Sequence, residues 1–149
     1  RYRQRFYFLR DNDIATPEDM AAFLTRTEDA LASLTKQRTI FNVRKKKRQV
    51  LYTALADVEA LAIAKQLYED GVSGMEEQFA RYLDAVARLE GCGCSREQLL
   101  REKAEVYQRL AEVNRQIRQE RQKLAICREI QKETPQMERS IGVFKAESI

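Results

Sequence analysis

A run of basic side chains is the feature of this sequence that could do chemistry with a partner. No acidic residue lies between Asp29 and Asp57, whereas the charges of the remaining sequence are mixed. Lysine and arginine side chains along one helix can neutralise backbone phosphates and release the counterions that those phosphates hold. The stretch therefore predicts a nucleic-acid-binding surface of seven residues: Lys36, Arg38, Arg44, Lys45, Lys46, Lys47 and Arg48.

An internal role for the same cations is the alternative. If the fold brings the run beside residues 97–108, three carboxylates can pair with it: Glu97, Glu102 and Glu105. Three carboxylates cannot balance seven cations, and Arg101 and Lys103 add to the excess. A phosphate-binding face and a solvated face therefore both stay open.

No other residue set supports catalysis or metal binding. The chain has no histidine, which excludes histidine-based triads, proton shuttles and metal ligands. Cys92 and Cys94 have no second cysteine pair to complete a four-thiolate zinc site, so we interpret them as part of a turn. Cys127 is interpreted as packing beside a helix seam. We predict no catalytic residue, no metal site and no cofactor.

Two smaller sets of residues admit a nucleic-acid interpretation, but a structural one is preferred for each. Tyr2 and Tyr7 lie beside arginines and could stack on bases, although docking of the N-terminal segment explains them more simply. A second basic set is interleaved with acidic residues, which predicts a solvated helix flank. Its members are Arg115, Arg118, Arg121 and Lys123.

Composition predicts an all-α protein. Of 149 residues, 34% are charged, and only five are glycine and two proline, as in long helices and coiled coils. The net charge of +4 and the isoelectric point near 9.0 are too mild to identify a partner. The sequence has no apolar stretch of about 18 residues, so no membrane span is predicted. Three cysteines, an odd number, fit a reducing cytoplasm.

The predicted elements form a single helical domain over residues 1–149. The first long helix is capped by Thr16, with Pro17 at its first position, and the second is expected to end at Pro135. The simplest arrangement is a long antiparallel coiled-coil helix pair with a small helical bundle at its tip. In order, the segments are an N-terminal segment (1–15), a long helix (16–48), the tip bundle (50–91), a second long helix (95–134) and a tail (135–149). Because the chain begins at Arg1 inside a helical pattern, we expect it to be a piece of a larger protein.

Finer features follow from capping and heptad rules. Gly71 is expected to end a helix in the left-handed backbone conformation. Two capping boxes are predicted, one from Ser73 with Glu76 and one from Ser95 with Gln98. The seam of the last helix is predicted from spacings of seven, three and four. It comprises Leu100, Tyr107, Leu110, Asn114, Ile117 and Leu124.

The order of these elements resembles the C-terminal helical region of relaxases, the mobilisation proteins of Gram-positive conjugative or mobilisable elements. The similar segments are FLRDNDI (8–14), TPEDMAAFL (16–24), LYEDGVSGMEEQFARYLDAVARLEG (67–91) and SREQLLREKAEVYQRL (95–110). Such relaxases nick DNA with a catalytic tyrosine and a histidine-liganded metal in their N-terminal part. A chain without histidine holds none of that site, so the resemblance implies an accessory domain behind the nuclease.

Two functional hypotheses result. The first is a non-catalytic domain of a mobilisation relaxase that binds DNA at an origin of transfer, or helps to assemble the relaxosome with its other proteins. The second is a coiled-coil scaffold or oligomerisation module, for instance a homodimer, that does not bind DNA. Neither hypothesis involves a membrane.

Overall fold

The fold is all-α, as predicted. The structure is a computed structural model that describes the backbone of residues 2–147 and the side chains of residues 2–133. Within the described backbone there is no β-strand. The five helices are α1 (Tyr2–Asp11), α2 (Pro17–Ala60), α3 (Ala62–Glu69), α4 (Glu76–Glu90) and α5 (Arg96–Glu147).

Side-chain caps begin both long helices, as the sequence predicts. The backbone N–H of Asp19 donates to Thr16 Oγ1 at 3.1 Å, and Asp19 Oδ2 accepts from the N–H of Ala15 and of Thr16. At α5 the N–H of Gln98 donates to Ser95 Oγ, and the N–H of Ser95 donates to Gln98 Oε1. Each cap satisfies N–H groups that have no partner inside the helix.

The end of α3 is also as predicted, but the start of α4 is not. Gly71 has φ +83°, and the N–H groups of Gly71 and Val72 donate to the carbonyls of Tyr68 and Leu67 in a Schellman arrangement. The capping box expected from Ser73 is wrong: α4 begins at Glu76 after Met75, without a side-chain cap.

The long helices extend further than the sequence pattern indicated. α2 continues past residue 48 to Ala60, because no glycine or proline interrupts it and its apolar positions persist through Leu55. The predicted end at Pro135 is wrong, since α5 continues to Glu147. A proline removes one helix hydrogen bond, and this can kink a helix without ending it. Most of the predicted tail (135–149) is thus α5 backbone, and residues 148–149 lie outside the described part.

The described chain divides into two compact units. Unit 1 comprises the described residues of Arg1–Gln37 and Val113–Ile149, and unit 2 is Arg38–Glu112. The buried cluster of unit 1 joins α1, α2 and α5 and consists of Ile14, Met20, Phe23, Cys127 and Ile130. That of unit 2 joins α2, α4 and α5 and consists of Tyr52, Ala54, Leu55, Ala85, Leu89 and Leu99.

The predicted seam of α5 is wrong at three of its six positions, because Leu100, Tyr107 and half-buried Asn114 are replaced by their N-terminal neighbours. Leu100 is 51% exposed and Tyr107 38% exposed, whereas Leu99 and Val106 are buried. Leucines stand at both 99 and 100, and a heptad pattern can be started on either one. The structure starts it on Leu99, and the buried residues then follow at spacings of seven, four, three, four and seven: Leu99, Val106, Leu110, Val113, Ile117 and Leu124.

Candidate nucleic-acid interface

Helical periodicity divides the seven predicted cations into two groups. Arg38, Lys45 and Arg48 are half-buried, because they share with Phe41 and Tyr52 the spacing of three and four that marks the inner face of α2. The exposed group consists of Lys36 in unit 1 and Arg44, Lys46 and Lys47 in unit 2.

Arg48 is held by an internal network in unit 2. Its Nε and Nη2 donate to the two carboxylate oxygens of Glu102 at 2.9 and 3.0 Å, a bidentate pair. The hydroxyl of Tyr52 donates to the same carboxylate at 2.8 Å, and Arg48 Nη2 also contacts Cys94 Sγ at 3.8 Å. The internal alternative therefore describes Arg48, which is paired with a carboxylate of α5.

The network shifts the acid–base behaviour of its members. Hydrogen bonds from Arg48 hold the pKa of Glu102 below its usual range, and those to Glu102 and Cys94 raise the pKa of Arg48. Burial, together with the hydrogen bond to Glu102, raises the pKa of Tyr52 to about 12. At neutral pH the three groups are thus a fixed cation, anion and neutral phenol.

The side chain of Lys45 makes a cation–π contact with an aromatic ring. Its ammonium nitrogen lies 4.7 Å from the centre of the Tyr107 ring, and Lys103 approaches the same ring at 5.6 Å. Tyr107 in turn meets Tyr52 edge to face, with ring centres 6.2 Å apart. These cation–π contacts fix the inward lysine against α5.

Beside this network lies an open groove between α2 and α5. Its volume is about 370 Å³, and it contains four cations and two carboxylates, hence a net charge of +2. Glu102 is paired with Arg48, and Glu105 with Arg109 at 3.4 Å. The lining residues are Phe41, Arg44, Lys47, Arg48, Tyr52, Glu102, Glu105, Val106 and Arg109.

Two guanidinium groups lie near the ring of Phe41 at this groove. The guanidinium carbon of Arg44 is 5.7 Å from the ring centre and that of Arg109 is 5.8 Å from it. The sequence pattern alone indicates neither Phe41 nor Arg109 as a site residue. Predicting that these two residues line one groove requires knowing which turn of α5 faces α2.

Lys46 and Lys47 are both exposed on α2, and Lys47 also lines the groove. Within residues 2–133, whose side chains are described, neither forms an ion pair. The pairing with the basic run that the internal alternative allowed for Glu105 is not found, because Glu105 pairs with Arg109 on its own helix.

The remaining candidate residues give no further site. Cys92, Cys94 and Cys127 are free thiols, and Cys127 is buried, as predicted. Among the residues the structure describes, no group of three or more His, Cys, Asp or Glu is placed to hold a metal. No described helix is both long and apolar enough to cross a membrane.

The outcome for the smaller sets is mixed. In unit 1, Tyr2 is 69% exposed and Tyr7 47% exposed, so the prediction that they dock α1 is wrong. Phe8 and Leu9 dock it instead, against the cluster around Phe23. In the second basic set, Lys123 pairs with Glu120 at 3.3 Å, as a solvated flank would.

Comparison with protein-family models, curated proteins and solved structures finds no match.

Proposed function

We propose that unit 2 binds DNA phosphates through Arg44, Lys46 and Lys47. The observation that supports this most strongly is the division of the basic run by α2. Of the inward cations, Arg48 is paired with Glu102 and Lys45 lies over the Tyr107 ring, while these three side chains are exposed. No carboxylate lies on α2 between Asp29 and Asp57, so none stands within four residues of these three cations to neutralise them.

The wider proposal is a non-catalytic accessory domain of a conjugative mobilisation relaxase. Its support is the similarity of four sequence segments, together with a helical fold and a chain without histidine. In that setting the domain binds DNA near an origin of transfer, contributes to relaxosome assembly and works in the cytoplasm.

The proposed architecture pairs α2 with α5 as an antiparallel coiled coil, with α3 and α4 as the tip bundle. Contacts within unit 2 support it, because partners on α5 descend in number as those on α2 ascend. Phe41 meets Arg109, Lys45 meets Tyr107, and Arg48 meets Glu102. At the tip, Tyr68 of α3 stacks on Phe79 of α4 at 4.0 Å.

The test is fluorescence anisotropy with labelled single-stranded and duplex DNA across a salt series. In the triple variant Arg44→Gln, Lys46→Gln, Lys47→Gln, three phosphate contacts are lost. We expect the slope of log affinity against log salt to decrease by about 2 for single strands and by about 3 for duplex DNA.

A matched control removes three exposed arginines elsewhere: Arg118→Gln, Arg121→Gln and Arg128→Gln. The net charge falls equally, so a local site requires this control to keep most of the wild-type slope. Absence of binding at low salt, or equal losses in both variants, would contradict the proposal.

A second candidate function is a protein scaffold without DNA binding. The observation that favours it is an apolar stripe on the exposed side of α2: Ile40 is 52% exposed, Val43 46% and Val50 56%. Exposed apolar residues at helical spacing are a feature of helix-docking faces. Sedimentation equilibrium tests the homodimer form of this function, which predicts a concentration-dependent mass that decreases in Ile40→Ser, Val43→Ser.

A further inference from the structure

The geometry points to the groove between α2 and α5 as a single-strand site, in which one unstacked base packs on Phe41 and the adjacent phosphates bind Arg44 and Lys47. This inference rests on the proposed DNA-binding function and specifies its strand preference. A base has a π-face that an aromatic ring can stack on, and this makes such sites tolerant of sequence.

The groove has the size and the lining that such a ligand needs. Its volume of about 370 Å³ lies within the range of small-ligand sites. Phe41, Tyr52 and Val106 provide an apolar floor, and Arg44, Lys47 and Arg109 provide a cationic rim. A nucleotide combines a flat apolar ring with an anionic phosphate, so it complements both parts.

The two guanidinium groups beside Phe41 can give way to a base. Arg109 is 60% exposed and its ion pair with Glu105 is a surface pair, which contributes little to stability. Arg44 is exposed as well. Both side chains can therefore turn toward phosphates while a base covers the ring.

A duplex does not fit this site. Its bases are stacked on each other, and only an unstacked base presents a face to Phe41. The Arg48–Glu102 pair at the groove supports a fixed shape, because a bidentate arginine–carboxylate contact sets its geometry. Duplex DNA is thus limited to the outward cations, whereas a single strand gains the stacking contact in addition.

Intrinsic fluorescence tests the contact directly. The chain has no tryptophan, so Phe41→Trp introduces a single reporter at the groove, and Leu83→Trp introduces one on the exposed side of α4 as the control. We expect an oligo-dT of about 16 nucleotides to quench Trp at 41 and not Trp at 83. Duplex DNA is expected to quench neither.

Affinity supplies a second readout. Phe41→Leu is expected to weaken single-strand binding by about 5- to 150-fold, the range of one lost base–aromatic stack, while duplex affinity stays within about twofold. Phe41→Tyr keeps an aromatic ring and should retain single-strand affinity. Circular dichroism and urea unfolding confirm that each variant is folded.

The outcomes separate the two proposals. Salt-dependent DNA binding without quenching at 41, or an equal loss for both DNA forms in Phe41→Leu, overturns the groove site and leaves phosphate binding intact. If no DNA binds at low salt, both proposals fail together.

Discussion

The same two long helices have different inner residues in the two units. In unit 1, α2 presents Met20 and Phe23, and α5 presents Cys127 and Ile130, all of them buried. In unit 2 the inner positions of α2 include Lys45 and Arg48. Their partners on α5 are Tyr107 and Glu102, respectively. The inner face of unit 1 is thus apolar except for buried Thr27, whereas that of unit 2 is partly charged.

The comparison indicates where stability and specificity come from. Burying apolar side chains is the main favourable contribution to folding, and unit 1 uses it along both helices. A half-buried ion pair contributes little net stability, because desolvation offsets the attraction. The Arg48–Glu102 pair is better explained as fixing the geometry beside the cationic groove.

Core truncations are expected to have the largest effects on stability. Phe23→Ala should lower the free energy of unfolding by about 3–5 kcal/mol, and Leu99→Ala by about 2–5 kcal/mol, since each leaves a cavity in a buried cluster. Phe23→Ala also removes the edge-to-face contact with Phe8 of α1. Urea denaturation followed by circular dichroism measures both, and a loss below about 1 kcal/mol in either variant would show that its cluster is not a core.

An alkaline pH series tests the charged network of unit 2. The folded-state pKa of Tyr52 is about 12, above the usual value of about 10. The unfolded chain therefore releases this proton first, so stability is complete below pH 10 and is lost between pH 10 and about 12. At about 1.4 kcal/mol per pKa unit, the loss is of the order of 2–3 kcal/mol.

Tyr52→Phe is the matched control, because phenylalanine has no proton to release. Its stability should be about 1 kcal/mol lower at neutral pH, where one hydrogen bond is lost, and should decline less steeply than wild type above pH 10. Glu102 acts at the other end of the scale. Its lowered pKa contributes stability above pH ~4.3 that is lost as the pH falls. Equal alkaline slopes in wild type and Tyr52→Phe would contradict the network.

The cysteines test the comparison with a smaller expected effect. Cys127 in unit 1 is fully buried, and burial raises the pKa of its thiol, so it should react with a thiol reagent only after unfolding. Cys94 in unit 2 is exposed and should react in the native protein. Cys127→Ser is expected to cost about 1–3 kcal/mol for burying a hydroxyl, whereas Cys94→Ser should change stability by less than about 0.5 kcal/mol.

The sequence predicts those features that depend on local rules. Thr16 and Ser95 cap helices because their side chains reach N–H groups three residues away, and Gly71 ends α3 because it tolerates positive φ. The continuation of α2 to Ala60 and the choice of Leu99 over Leu100 depend on packing against other helices. A local pattern does not contain that information.

The candidate site shows the same limit. The basic run and the helical spacing that divides it are visible in the sequence, but the partners of the inward cations depend on the turn of α5 that faces them. Glu102 was foreseen as a partner for the run, whereas the preference of Glu105 for Arg109 was not. Two helices with a known register would have been needed to place Phe41 in a groove.

The smallest expected effect on stability belongs to the residues with the largest expected effect on DNA. Arg44, Lys46 and Lys47 are exposed, so changing each to glutamine should shift the free energy of unfolding by no more than about 0.5 kcal/mol. Removal of like charges from one stretch can even stabilise α2. Urea unfolding at low and high salt measures this change in the free energy of unfolding. The result shows whether the acid-free run contributes to the stability of the fold. Were the triple variant strongly destabilised, the cations would be part of the fold, and loss of DNA affinity in that variant would carry no information about a binding surface.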